Sequence, residues 1–432
     1  MLTRDVQLSR AIIDLVDNSV DGAQRLRGNG RYDGLWIRIE LSRDSFKVSD
    51  NCGGISVDIA RNYAFRFGRS KNEEGAPGSV GLFGVGMKRT FFKLGRQFTV
   101  RSKCRTEHFS LAVNVDQWIA EEGENGPDDW HFEFGSVEEH TAEVPLEETG
   151  TQIEVTRLLQ SVAENFSLEQ FHAQLLNELG AAHAVSVDKG LAITVNMIPL
   201  QHLPQKLFVS GELKPAFVQK SYPRTQIDGI DGEPVTVKLY AGVAERSLHD
   251  GGWYVFCNGR LVLRADQTAL TVWGERNEMR QYHPDFAFFR GYAYIDSLHS
   301  TLLPWTTTKT GVDVDAPIYK IIQREMIEIT KPVIAFLSEL ARQRDADREG
   351  EWSDGRLNSA ITTASATRTE EIAEGAFVAP RANAAPPGPR MQKIQYTKLF
   401  DEVERAKVLL KARSYKEVGE KTFEYYLEYE GK

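Results

Sequence analysis

Residues 8–27 restrict the fold of this chain more than any other stretch. Leu8, Ala11, Ile12, Leu15 and Val16 recur at helical spacing. The same helix carries Asp14, Asn18 and Asp21 at i, i+4 and i+7, which places all three on one face. A strand follows at Leu35–Leu41 (LWIRIEL) and another near Phe46–Val48, where Trp, Ile and Val favour a pleated surface. Helix Ile55–Ala64 then leads into a Gly-, Ser- and charge-rich stretch from Gly68 to Gly78, and a second Gly cluster, Gly81 to Gly86, opens another helix. Further strands are expected at Gln97–Ser102, Phe109–Val115, Trp130–Phe134 and Thr151–Thr156, before a helix at Leu168–Ala182. The expected class is α+β.

A second strand-rich region occupies residues 190–300. Its clearest signal is WYVFCNGRLV at Trp253–Val262, where Asn258-Gly259 between apolar runs is a strong hairpin cue. Val235–Gly242 and Phe286–Ile295 read as strands, and Ala316–Arg348 as a long helix interrupted by Pro332. Residues 352–390, rich in Ala, Thr, Pro and Gly, read as a flexible linker. The expected boundaries are therefore 1–185, 186–312, 313–350, 351–390 and 391–432, the last a small helical module rich in Tyr and Phe.

Composition removes several function classes. The net charge of −9 argues against a global nucleic-acid footprint and leaves only a local patch open. Cys52, Cys104 and Cys257 are far apart and unpaired in spacing, so neither a disulfide framework nor a cysteine zinc site is expected, and a reducing cytosol fits. No apolar run approaches the roughly 20 residues needed to span a bilayer, and Met1 is not followed by an apolar signal core. A cytoplasmic protein is expected.

Four short constellations carry chemistry. In the first, Asn18 offers a side-chain oxygen to Mg²⁺, which prefers oxygen ligands, and Asp14 could orient or deprotonate a water. Alone, this run is read more readily as a solvated polar helix face. In the second, Asp50-Asn51-Cys52-Gly53-Gly54 follows an apolar strand. Its carboxylate can accept from an exocyclic amine such as that of adenine, and the glycines let the backbone pass a flat ring. Alone, it is read more readily as an ordinary strand–turn–helix connection. The third is Gly81-Leu82-Phe83-Gly84-Val85-Gly86-Met87-Lys88, a glycine cluster at a helix mouth suited to phosphate oxygens, with Lys88 adding positive charge. It has neither the preceding strand of a Rossmann fingerprint nor Walker A spacing. The fourth is Gly150-Thr151 entering a strand, where the Thr151 hydroxyl could reach adenine or Asp50 through water.

Together, in this order and on these elements, the four resemble the GHKL ATPase superfamily: DNA gyrase B, the heat-shock chaperone ATPases, MutL and the histidine kinases. The N-box is matched by Asp14–Asp21, the adenine motif by Asp50–Gly54, the Gly-rich lid by Gly81–Gly86 and the last motif by Gly150-Thr151. Phe67-Gly68-Arg69-Ser70-Lys71 and the run Ala11–Asn18 are closest to MORC-type ATPases, and place Ser70 and Lys71 near the nucleotide. The resemblance implies a Bergerat-fold α/β sandwich, ATP and Mg²⁺ as ligands, and a catalytic role for position 14. That residue is usually Glu; Asp14 is shorter by about 1.5 Å, which makes slow turnover the expectation. Cys52 likewise replaces the first Gly of the usual DxGxG.

Downstream, FCNGRLV is similar to a hairpin of the ribosomal-protein-like transducer domain in the MutL, gyrase B and MORC branch. In that branch a lysine reaches the γ-phosphate, and Lys309 in Pro304-Trp-Thr-Thr-Thr-Lys309 is the candidate. The resemblance implies an ATP-driven switch, with ATP-dependent homodimerisation and a DNA or operon-encoded protein partner, in processes such as defence against foreign DNA. The alternatives are a client-protein chaperone and a non-hydrolysing ATP-dependent interaction module.

Overall fold

A computed structural model describes residues 7–28, 30–65, 86–118, 132–140, 142–201, 204–274, 278–306, 309–349, 352–383 and 394–431. The chain divides into two units, Met1–Asn383 and Ala384–Lys432.

The first unit begins with helix α1 (Leu8–Arg27) and an eight-stranded sheet of order β5-β4-β3-β6-β2-β1-β7-β8. Its strands are β1 (Trp36–Leu41), β2 (Ser45–Asp50), β3 (Gly95–Lys103), β4 (Glu107–Asn114), β5 (Ser136–Glu139), β6 (Gly150–Leu158), β7 (Ala192–Val195) and β8 (Ile198–Pro199). All pairings are antiparallel except β1 with β7. Alternation explains the layering: on β1, Ile37, Ile39 and Leu41 are buried while Arg38 and Glu40 are exposed. One face is thus left to water and the other to a helical layer. Ile12, Ile13, Val16 and Val20 of α1 and Phe91 and Leu94 of α3 (Gly86–Leu94) share one core with β1 Ile37, β2 Val48, β3 Val100 and β6 Val155. Between the layers, α2 (Val57–Ile59) continues into a single π turn at Ala60–Ala64. The helices Gln160–Phe166 (α4), Glu169–Ala182 (α5) and Ala184–Asp188 (α6) follow β6. The sheet differs from expectation in two places: the edge strand is Ser136–Glu139, with residues 132–134 not strand, and β7 and β8, expected in the second strand-rich region, join this sheet beside β1.

A five-stranded sheet of order β10-β11-β14-β12-β13 comes next. It comprises β10 (Ala216–Tyr222), β11 (Val235–Val243), β12 (Gly252–Cys257), β13 (Arg260–Asp266) and β14 (Phe289–Asp296). Helix α7 (Pro317–Glu349) packs Ile318, Ile322, Met326 and Val333 into its core. This helix continues through Pro332 and is not interrupted there. Pro332 and Glu328, whose carbonyl loses its i+4 donor, are both exposed, so water replaces the missing bond.

The stretch expected as a flexible linker is ordered over residues 352–383. Helix α8 (Arg356–Thr362) buries Leu357 and Ile361. Strand β15 (Ser365–Arg368) pairs antiparallel with β9 (Lys206–Val209), and bridges join Gly375 to Phe217 and Val378 to Lys214. Its polar composition hid pairings that lie far away in sequence. The second unit contains helices α9 (Phe400–Leu409) and α10 (Tyr415–Glu430), the latter capped by the Ser414 hydroxyl. Among the described helices none is long and apolar enough to cross a membrane.

Candidate functional site

Three of the four constellations meet at the carboxylate of Asp50. Strand β2 ends there and the chain turns, so Asp50 Oδ1 accepts the Cys52 amide at 2.8 Å and the Thr151 amide at 3.3 Å. Its Oδ2 accepts the Ser19 hydroxyl of α1 at 2.7 Å. A carboxylate has about four acceptor positions, so one remains on Oδ2. Burial pushes its pKa up, against the three donors that pull it down. Cys52, standing where a glycine is usual, keeps ordinary negative-φ backbone; the left-handed positions are Gly53 and Gly54. At Gly54 a Cβ would lie 2.4 Å from the Lys103 carbonyl, so glycine is required for the turn to approach β3. Gly150 is as tightly placed: a Cβ there would lie 1.9 Å from the Asp50 carbonyl oxygen. The Thr151 hydroxyl is 3.2 Å from Ser102 Oγ, and Ser102 accepts the Ile55 amide at 2.6 Å.

Beside Ser19 on α1, Asn18 Nδ2 donates to the carbonyl of Asp14, one turn earlier, at 3.1 Å. That bond fixes the amide and leaves its Oδ1 without a donor among the described residues. Asp14 and Asn18 are half-buried. Burial pushes the Asp14 pKa up to about 6; Lys309 beside it pulls down and Asp17 pushes further up. Asp21, on the same face, is buried and engaged within the protein.

Asp17 was not singled out by its chemistry, yet it is the least exposed charged residue among those described. It is 0 % exposed and surrounded by Arg260, Lys309 and His183, themselves 2 %, 7 % and 2 % exposed. Lys309 Nζ donates to Asp17 Oδ2 at 2.7 Å and lies 4.0 Å from Asp14 Oδ1. Arg260 Nε is 3.0 Å from Asp17 Oδ1, close enough for strong attraction although its N–H is not aimed along a hydrogen bond. Burial pulls the His183 pKa down to about 3, so the imidazole is neutral at pH 7 and its 3.5 Å approach to Asp17 is not an ion pair. Burial also opposes ionisation of Asp17, but Arg260 and Lys309 outweigh it and hold its pKa below the usual carboxylate range. The signal that could have found Asp17 lies in its place on the apolar stripe of Ile13, Val16 and Val20, because a carboxylate there must be paired.

Strand β13 supplies Arg260, and the loop closed by the Trp305–Val312 bridge supplies Lys309. Asn258 and Gly259 have φ of 48° and 75°, the left-handed pair that joins tight hairpins. Asn258 anchors the turn by donating to the Ser297 carbonyl and accepting the Ser297 amide, and Arg260 follows directly. Lys309 itself holds φ of 52°, a left-handed backbone that costs a non-glycine residue about 1–2 kcal/mol; the Asp17 ion pair offsets it.

Lys88, expected beside the phosphates, sits on α3. It is buried there and engaged within the protein. Gly86 opens that helix. Ser70, Lys71, Gly81, Leu82, Phe83, Gly84 and Val85 lie outside the described residues.

Residues 6–143 match the family model described as histidine kinase-, DNA gyrase B- and HSP90-like ATPase. This stretch, which holds α1, Asp50 and the turn after it, is similar to GHKL-type ATPase domains. No curated protein matches the chain.

Proposed function

We propose that the chain binds ATP with Mg²⁺ and hydrolyses it slowly, as a conformational switch of the MORC- and MutL-like kind. The observation that carries this reading is Asp50: a buried carboxylate held by three donors from α1, its own turn and β6, with one acceptor position left for the adenine amine. The residues present fit an adenine nucleotide and its metal. Asn18 Oδ1 would hold Mg²⁺, which when bound neutralises phosphate charge. Thr151 and Gly54 shape the base end. Ser70, Lys71 and the Gly81–Gly86 lid are assigned to the phosphates by motif alone.

Asp14 is the proposed base. A carboxylate with its pKa near 6 is ionised at neutral pH and still a better proton acceptor than an ordinary aspartate. Lys309 lies 4.0 Å away, where its charge can hold Asp14 ionised and meet a terminal phosphate. The Asp17–Lys309–Arg260 cluster joins this helix to the second sheet, so a change at Lys309 is transmitted to β12 and β13. In this reading that sheet is the transducer, and two copies close on ATP and reopen after hydrolysis, acting on DNA or with a protein partner. The dimerising clamp and the DNA role rest on the motif resemblance.

Phosphate release from ATP tests the chemistry. Asp14→Ala is expected to lower it by about 100-fold or more, the range for loss of a general base, while Asp14→Glu retains it. Equal turnover in wild type and Asp14→Ala would show that Asp14 is not the base.

A further inference from the structure

The second unit leaves its apolar side chains bare. Val418 is the only buried residue among those described between 394 and 431, whereas Phe400, Tyr415, Phe423, Tyr425, Tyr426 and Tyr429 are 50–68 % exposed. The pattern on α10 explains why one neighbour is not enough. Val418, Thr422, Tyr425 and Tyr429 follow at i, i+4, i+7 and i+11 and form one stripe. Phe423, Tyr426 and Leu427 form a second stripe beside it, and Glu417, Glu420, Glu424 and Glu428 keep to the opposite side. An apolar arc that wide needs packing on two sides, and α9, 10 residues long, supplies one. Helices of 10 and 16 residues are also marginal in water by themselves. At half to two thirds exposure, the six rings leave on the order of 100 Å² each open to water. With Leu399, Val408, Leu409 and Leu427 also exposed, the total reaches the roughly 800 Å² per partner of a stable interface.

The free charges of this hairpin are sorted by end. Lys411 and Arg413 lie in the connection between α9 and α10, with Arg405 one turn before α9 ends. Asp401 and Glu402 open α9, and Glu424, Glu428 and Glu430 close α10, at the other end. All eight side chains are exposed and have no ion pair among the described residues. The other charges of the two helices pair locally: Lys407 with Glu404, Lys416 with Glu420 and Lys421 with Glu417. The hairpin is therefore basic at its turn and acidic at its open end. We infer that α9 and α10 are a self-association module whose partner is a second copy of this chain. The two hairpins pair antiparallel with apolar stripes inward, as a four-helix bundle in which the turn of each lies against the open end of the other. Two-fold symmetry forms both end contacts at once, whereas turn-to-turn packing would set like charges together. The contact needs no nucleotide, so it is separate from the ATP-driven closure proposed above.

Sedimentation velocity of the full chain without nucleotide tests this. Wild type is expected to sediment as a dimer at micromolar concentration, and Phe423→Glu/Tyr426→Glu to weaken dimerisation by about 30-fold or more through loss of two aromatic anchors. Lys411→Glu/Arg413→Glu makes both ends of the hairpin acidic, and Glu424→Lys/Glu428→Lys makes both ends basic. Each is expected to weaken self-association by about tenfold or more, and an equimolar mixture of the two to recover a heterodimer, because every acidic end then meets a basic one. These four side chains are exposed, and recovery on mixing is a result that misfolding does not imitate. Asp50→Asn is expected to dimerise like wild type, which separates this contact from any that depends on ATP. The inference is overturned by a wild-type monomer at tens of micromolar, whether its hairpin stays bare or packs elsewhere on the same chain. It is equally overturned by unchanged dimerisation in Phe423→Glu/Tyr426→Glu, by charge variants that do not recover on mixing, or by a dimer that forms only with ATP.

Discussion

Replacing Asp17 with Asn leaves shape almost unchanged and strands two buried cations. At an effective dielectric constant near 20, the 2.7 Å Lys309 contact and the 3.0 Å Arg260 contact are each worth about 6 kcal/mol of gross attraction. Much of that is cancelled by the cost of taking three ions out of water, so the net value of the cluster is small beside these figures. The loss on removing one partner is not small, because uncompensated charge then remains buried; about 3–5 kcal/mol is expected. At about 2 °C per kcal/mol for a large domain, scanning calorimetry should show the melting temperature of Asp17→Asn lowered by roughly 6–10 °C. The double variant Asp17→Asn/Arg260→Gln should be less destabilised than the sum of its singles by about 1 kcal/mol or more, since each charge is costly only without the other. The sign with pH is fixed as well. A carboxylate whose folded pKa is depressed contributes stability above its unfolded value and loses it as pH falls toward the folded one, so wild type and Asp17→Asn should converge in acid. A melting temperature within about 1 °C of wild type at neutral pH, the range of ordinary surface changes, or strict additivity in the cycle, would refute the reasoning.

Further predictions concern the site itself. With the Asp14 pKa near 6, kcat/KM for ATP should rise with pH through about 6 as the base ionises, and an Asp14→Glu profile should move with the new group's pKa; a flat profile from pH 5 to 8 would exclude Asp14 as the titrating base. The same upward shift means the folded state holds a proton that the unfolded state has lost between about pH 4 and 6, so Asp14 removes stability as pH rises through that window, and Asp14→Asn should abolish that contribution in pH-dependent urea unfolding. Gly150→Ala places a Cβ 1.9 Å from the Asp50 carbonyl oxygen, and the shift it forces on β2 should lower stability by about 2 kcal/mol or more and weaken nucleotide binding with it; a fully stable, fully binding variant would show that this approach is loose.

Much of the first sheet was legible because its signals are local. The alternation of Ile37, Ile39 and Leu41 gave β1, the apolar stripe of α1 gave the helix, and Asn258-Gly259 gave the hairpin. Asp50 was legible for the same reason: the residues that turn the chain after β2 adjoin it in sequence. What escaped notice depends on contacts between distant segments. Asp17 was read as part of a polar run because Arg260 and Lys309 reach it only once the second sheet is folded against α1. Residues 352–383 were read as unstructured because their order comes from pairing with β9 and β10, which composition does not record.

Direct binding of ATP to the magnesium-loaded protein tests the central claim most closely, with wild type and Asp50→Asn titrated side by side. Saturable binding by wild type, weakened about 10- to 100-fold by Asp50→Asn through loss of one charge-assisted hydrogen bond, is the predicted result. Absence of binding by folded wild type, or equal affinity in the two proteins, would contradict it.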